Sequence, residues 1–101
     1  MQGMIENSNL LVTARKGGLL VGLARSLSDF HYACYLSDLT VDKTYQRQGI
    51  GKELLRITRS RLGPHCKLIL LSAPAAQEYY QKLGFENKTN CWVLAGGKDP
   101  I

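Results

Sequence analysis

No apolar run in this 101-residue chain approaches the roughly 18 residues that a membrane-spanning helix needs. Repeats and low-complexity segments are also lacking. The three cysteines, Cys34, Cys66 and Cys91, are odd in number and none stands in a C-x-x-C spacing. That is not the pattern of a disulfide framework, and buried free thiols in a reducing compartment are expected. The two histidines, His31 and His65, lie near Cys34 and Cys66 without a second convincing ligand pair, so no metal is expected. The first eleven residues, MQGMIENSNLL, lack a basic segment followed by an apolar one. That is not the pattern of a signal peptide, and the cytoplasm is the expected location.

What is present is globular. Hydrophobic residues make up 45% and charged residues 21% of the chain, which suits one small domain with a single core spanning residues 1–101. The formal charge is +5, which points to an anionic partner without choosing one. From Lys43 to Arg61 there are six basic residues (Lys43, Arg47, Lys52, Arg56, Arg59 and Arg61) against one acid, Glu53. The surplus sits on and behind a glycine turn.

The pattern along the chain predicts a strand at Asn9–Arg15, a turn at Lys16-Gly17-Gly18 and a returning strand at Leu19–Leu27. A third strand follows at Tyr32–Val41, rich in aromatic and β-branched residues. The period then becomes helical. Ile50, Leu54, Ile57 and Leu62, with Leu55 beside them, form an apolar stripe, while Lys52, Arg56 and Arg59 form an exposed one. The run Lys67–Ser72 reads as a strand buried on both faces, as in parallel pairing. A second helix starts near Ser72 or Ala73, carries Pro74 in its first turn and ends at Gly84. A last strand is expected at Thr89–Gly96. The order is βββαβαβ, an α/β (α+β) chain with a mixed, mostly antiparallel sheet flanked by helices.

The turn Gln46-Arg47-Gln48-Gly49-Ile50-Gly51-Lys52 opens the first helix. The first amides of a helix lack intrahelical partners and, with the macrodipole, attract anions. Glycine lets a ligand approach the backbone. Phosphate or pyrophosphate binding is one reading; a plain turn with a tight helix–strand contact is the other. The spacing is neither a dinucleotide fingerprint, whose third glycine would fall at Leu54, nor a P-loop.

These residues resemble the acetyl-CoA-binding segment of the GNAT superfamily of N-acetyltransferases. Gln46 to Gly51 match its [QR]-x-x-G-x-[GA] signature, and Leu39-Thr40-Val41 match the L-x-V strand end before it. Ala76 to Phe85 resemble a second family element, A-x-x-[FY]-Y-x-x-x-G-F. The resemblance spans roughly residues 9–95. It implies that the amides from Arg47 to Lys52 hold the pyrophosphate of coenzyme A. It implies that backbone groups around Leu39 and Val41 hold the pantetheine arm, with Arg47, Lys52 and Arg56 near the 3′-phosphate. It also implies direct attack by an amine and Tyr80 as general acid toward the leaving thiolate. Tyr79 is expected to point into the core.

Some family features are missing. The third strand has no acid at Tyr35 or Ser37, positions where some members place a base. Asp38 is the only carboxylate within the strand and the remaining candidate base. Strict alternation puts it on the face opposite Tyr35, Ser37 and Leu39. The family's Asn after the buried strand is Ala73 here. Only about eight residues precede the first strand, so residues 1–8 read as the remnant of an N-terminal helix. The uncovered sheet edge predicts a homodimer or another partner.

Two functions follow from the resemblance. One is an N-acetyltransferase moving acetyl from acetyl-CoA to a primary amine of a small molecule or peptide. The other is an acetyl-CoA-binding module with little or no catalysis. Nucleic acid is not an expected partner, because the basic stripe is not interleaved with exposed aromatics.

Overall fold

The computed structural model describes residues 8–101. They divide into two compact units, the first ending at Leu71 and the second running from Ser72 to Ile101.

The first unit carries β1 (Leu10–Lys16), β2 (Leu19–Ser28), β3 (Ala33–Val41), α1 (Ile50–Ser60) and β4 (Lys67–Ile69). The sheet order is β1-β2-β3-β4. The first three strands form the antiparallel meander that their turn residues predict, and β4 pairs with β3 in parallel. Gly17 and Gly18 both have positive φ, so the first hairpin needs glycine there. The β2–β3 turn is built on Asp29, whose Oδ1 accepts from the amides of Tyr32 (2.8 Å), His31 (2.9 Å) and Ala33 (3.1 Å).

Helix α1 packs across β1, β2 and β3. Leu54 and Leu55 enter the core beside Val12, Ala24, Cys34 and Leu36. Thr58 is fully buried too, because its Oγ1 donates to the Leu54 carbonyl at 2.8 Å and leaves no open polar group. The tight helix–strand contact falls at Gly22 in β2. A Cβ there would meet Ile50 Cγ2 and Leu54 Cδ1 at 3.1 Å. Arg59 is not a plain solvated side chain: its Nη1 donates to the Cys66 carbonyl at 2.8 Å and ties down the α1–β4 loop.

The second unit contains a 3₁₀ turn at Pro74–Ala76 and α2 (Gln77–Lys82). Gly84, at φ 93°, ends the helix as predicted.

Five expectations are corrected. Of the three thiols expected to be buried, Cys34 and Cys66 are, but Cys91 is exposed in the irregular segment near the C-terminus. The strand predicted at Lys67–Ser72 stops at Ile69, and Ile69 is 43% exposed rather than buried on both faces. Only three residues, Lys67 to Ile69, find a partner on β3, and pairing is what makes a strand. The last strand, Thr89–Gly96, is irregular, with Trp92 92% exposed. Its residue types suit a strand, but among the described residues none pairs with it. Tyr79 is 41% exposed and not a core residue, since no residue of the second unit is buried. The strict alternation assumed for β3 also fails, for the reason given below. The helical remnant expected at residues 1–8 lies, apart from Ser8, outside the described residues.

Candidate functional site

The end of β3, the following turn and the start of α1 form one continuous stretch in the first unit. Asp42 begins it: its Oδ1 accepts from the Thr44 amide at 2.9 Å and caps a 3₁₀ turn at Lys43–Tyr45. Gln46 Nε2 then reaches back to the Val41 carbonyl at 3.0 Å. Arg47 (φ 65°) and Gly49 (φ 81°) adopt left-handed conformations. Glycine is needed at position 49 for its backbone angle, because an added Cβ would meet nothing within 4 Å.

Gly49 caps α1 without any side-chain bond, and the first helical bond runs from Glu53 N to the Gly49 carbonyl at 3.0 Å. The amides of Ile50, Gly51 and Lys52 therefore stand at the helix start with no intrahelical acceptor. The six basic residues fall into two groups. Arg56 is bonded to Glu53 and Arg59 to loop carbonyls. Lys43, Arg47, Lys52 and Arg61 are exposed and make no side-chain bond among the described residues.

The register of β3 decides which groups face where. Gly22, Ala24 and Ser26 of β2 point toward α1, so their partners Val41, Leu39 and Leu36 do too. Arg25 pairs with Asp38, but the next residue, Ser26, pairs with Leu36. Ser37 is thus the extra residue of a β-bulge. Past it the alternation is reset. Asp38 and Tyr35 share the face away from α1, whereas strict alternation put them on opposite faces; Leu39 remains opposite Asp38.

The Asp42 amide donates to the Val21 carbonyl at 2.7 Å, so the amides of Asp42, Thr40 and Asp38 face β2. Those of Leu39 and Val41 face the other edge. There the ladder to β4 ends at Tyr35, and no strand follows among the described residues.

Asp38 is engaged. Arg25, 4% exposed, donates to Asp38 Oδ2 through both Nε (2.8 Å) and Nη2. No sequence period revealed this pair. Its signal was a lone Arg inside the apolar run LLVGLARSL, opposite the one acid of β3.

Tyr80 lies in the second unit, on α2. Its ring meets those of Tyr79 and Phe85 edge-on, at centroid distances of 5.2 and 5.5 Å. Burial, with a smaller contribution from Tyr79, raises the hydroxyl above the ordinary tyrosine value. The hydroxyl therefore keeps its proton at neutral pH. Ala73 caps the Pro74–Ala76 turn and offers no side-chain bond.

Among the described residues no group of three or more His, Cys, Asp or Glu could hold a metal, and no helix is long and apolar enough to cross a membrane.

Comparison with known proteins agrees with this fold. The family model described as "Acetyltransferase (GNAT) domain" matches residues 1–96. A relative, GCN5-related N-acetyltransferase 2, chloroplastic, of Arabidopsis thaliana, is 39% identical over 69 residues. That match covers 66% of this chain and 27% of the relative, so the chain spans under a third of the plant protein's length. The fold resembles a GNAT family acetyltransferase from Streptococcus pneumoniae TIGR4, with TM-score 0.72, 26% identity, and 86% of this chain and 72% of that one covered. It also resembles aminoglycoside N-acetyltransferase AAC(6')-Iy, solved in complex with CoA, with TM-score 0.72 and 17% identity over 96% of this chain and 73% of that one. With the family model matched over nearly its whole length, this chain belongs to the GNAT acetyltransferase domain family.

Proposed function

We propose that the chain binds acetyl-CoA at the turn between β3 and α1 and transfers its acetyl group directly to a primary amine of a small molecule or peptide. The observation that carries this reading is the uncapped start of α1. Its free amides stand beside Arg47 and Lys52, next to an unpaired stretch of β3. Pyrophosphate oxygens would accept from the amides of residues 47–52, Gln48 and Ile50 included. Pantetheine would lie along β3 as an added strand, bonding Leu39 and Val41, and a backbone N–H of that stretch would polarise the thioester carbonyl. The 3′-phosphate falls to Arg47 and Lys52 rather than to Arg56, which Glu53 already holds. Tyr80 donates the proton to the departing thiolate. Residues 1–101 act as one domain, as a family match running across both units supports.

A second reading, an acetyl-CoA-binding module with little catalysis, is favoured by one observation. The only carboxylate on β3 is bonded to a buried arginine, so Asp38 is poorly placed to serve as a general base. Thiol release from acetyl-CoA with a panel of primary amines separates the two. Amine-dependent turnover that falls about 100-fold in Tyr80→Phe, with KM little changed, supports the enzyme. Coenzyme binding without turnover supports the module.

The acceptor follows from the reaction class: a neutral primary amine. The setting we propose is the cytoplasm, where Cys34, Cys66 and Cys91 stay reduced. We also propose a homodimer, because β1 is an outer strand of the sheet whose far edge no described strand covers. Light scattering of the purified chain measures this.

A further inference from the structure

We propose that the Arg25–Asp38 ion pair sets the register of β3, and through it decides which backbone amides face the open edge of the sheet. The pair stands one residue from the bulge, at the last β2 position before the ladder steps from Asp38 to Leu36.

Sliding β3 by one residue, so that Ser37 meets Arg25, removes the bulge. It would bring Leu39 opposite Leu23 and turn the amides of Leu39 and Val41 toward β2. It would also aim the Asp38 carboxylate at the apolar side chains of α1, and move the Arg25 guanidinium, nearly fully buried, away from its carboxylate. Backbone bonding distinguishes the two registers weakly, because a strand ladder can close in either. Breaking a buried charge pair distinguishes them strongly. Leu39 and Val41 face α1 in the observed register, and the slide would exchange them for Asp38 and Thr40, which opposes it as well. The ion pair adds the cost of separating two charges in a buried setting, and it is the part of the preference that one substitution can remove. Arg25 and Asp38 are positioning residues: they touch no reacting atom and act through Ser37, Leu39 and Val41. Their importance for coenzyme binding rests on the function proposed above; their control of the register does not.

Nuclear magnetic resonance of the unliganded chain tests this, alongside calorimetric titration with coenzyme A. Wild type is expected to show cross-strand contacts for Arg25–Asp38 and Leu23–Thr40. In Asp38→Asn, residues 37–41 should give a second set of signals with Arg25–Ser37 and Leu23–Leu39 contacts, and affinity for coenzyme A should fall roughly tenfold. The charge-keeping Arg25→Lys should retain the wild-type register. A folded Asp38→Asn with the wild-type contacts alone overturns the inference. If Asp38→Asn does not fold, the reversed pair, Arg25→Asp with Asp38→Arg, decides. Folding in the wild-type register supports the inference, and failure to do so overturns it. A wild-type chain that does not bind coenzyme A contradicts the coenzyme reading, and the register data then decide the inference alone.

Discussion

Gln46 Nε2 donates to the Val41 carbonyl at 3.0 Å, tying the glycine turn to the end of β3. The backbone groups of Val41 face the open edge, so this bond aligns the turn that precedes α1 with the strand that would hold pantetheine. One exposed side chain thus links the two halves of the proposed coenzyme site. Gln46→Ala should cost little stability, about 0.5–1 kcal/mol, because the bond competes with water. It should weaken acetyl-CoA binding several-fold, as read by calorimetry. An unchanged affinity would mean that the turn is held by other contacts.

Gly22 lies close beneath α1, against Ile50, the first residue of the helix. Any added side chain meets Ile50 and Leu54 at 3.1 Å. Gly22→Val should lower stability by about 1–3 kcal/mol through overpacking. Thermal unfolding should show this as a fall of several degrees, and the shifted helix start should weaken the coenzyme as well. A variant as stable as wild type would show that α1 can lift away freely.

Ser26 is fully buried, and its hydroxyl has no partner among the described residues. A buried hydroxyl without a partner costs about 1–3 kcal/mol. Ser26→Ala should therefore raise unfolding stability by roughly 1 kcal/mol in a denaturant titration. Destabilisation would show that the hydroxyl is bonded in solution.

The β2–β3 turn should respond to acid. The amides of Tyr32, His31 and Ala33 hold the Asp29 carboxyl below its ordinary value of 3.8. A lowered folded-state pKa means that the unfolded chain takes up the proton first. The contribution is thus fully present above about pH 4 and disappears as pH falls through the lower folded value. Melting temperatures of wild type and Asp29→Ala should differ at pH 6 and converge toward pH 2. A constant gap across that range would contradict this role.

The meander and α1 were legible because their signals are local. Hairpin glycines and an apolar 3.6-residue period do not need distant partners to be read. Tyr80 and the Gln46–Gly51 turn were singled out for a different reason, since a family pattern names them. The Ser37 bulge was not, because register is set by cross-strand pairing, and one extra residue reverses every side chain beyond it. The same limit applied to Thr89–Gly96, whose strand-like residues find no partner among the described ones. Arg25 and Gly22 were visible as an odd charge and an odd gap in an apolar strand. Only the structure shows Asp38 opposite the one and α1 above the other.

The central claim is that the turn at the start of α1 binds the coenzyme, and calorimetric titration of the chain with acetyl-CoA tests it most directly. Gly49→Val, which forces a β-branched residue into φ 81°, serves as the control. The account predicts saturable one-site binding by wild type and at least about tenfold weaker binding by a folded Gly49→Val. A folded wild-type chain that takes up no acetyl-CoA, or a variant that binds it as well as wild type, would contradict the account.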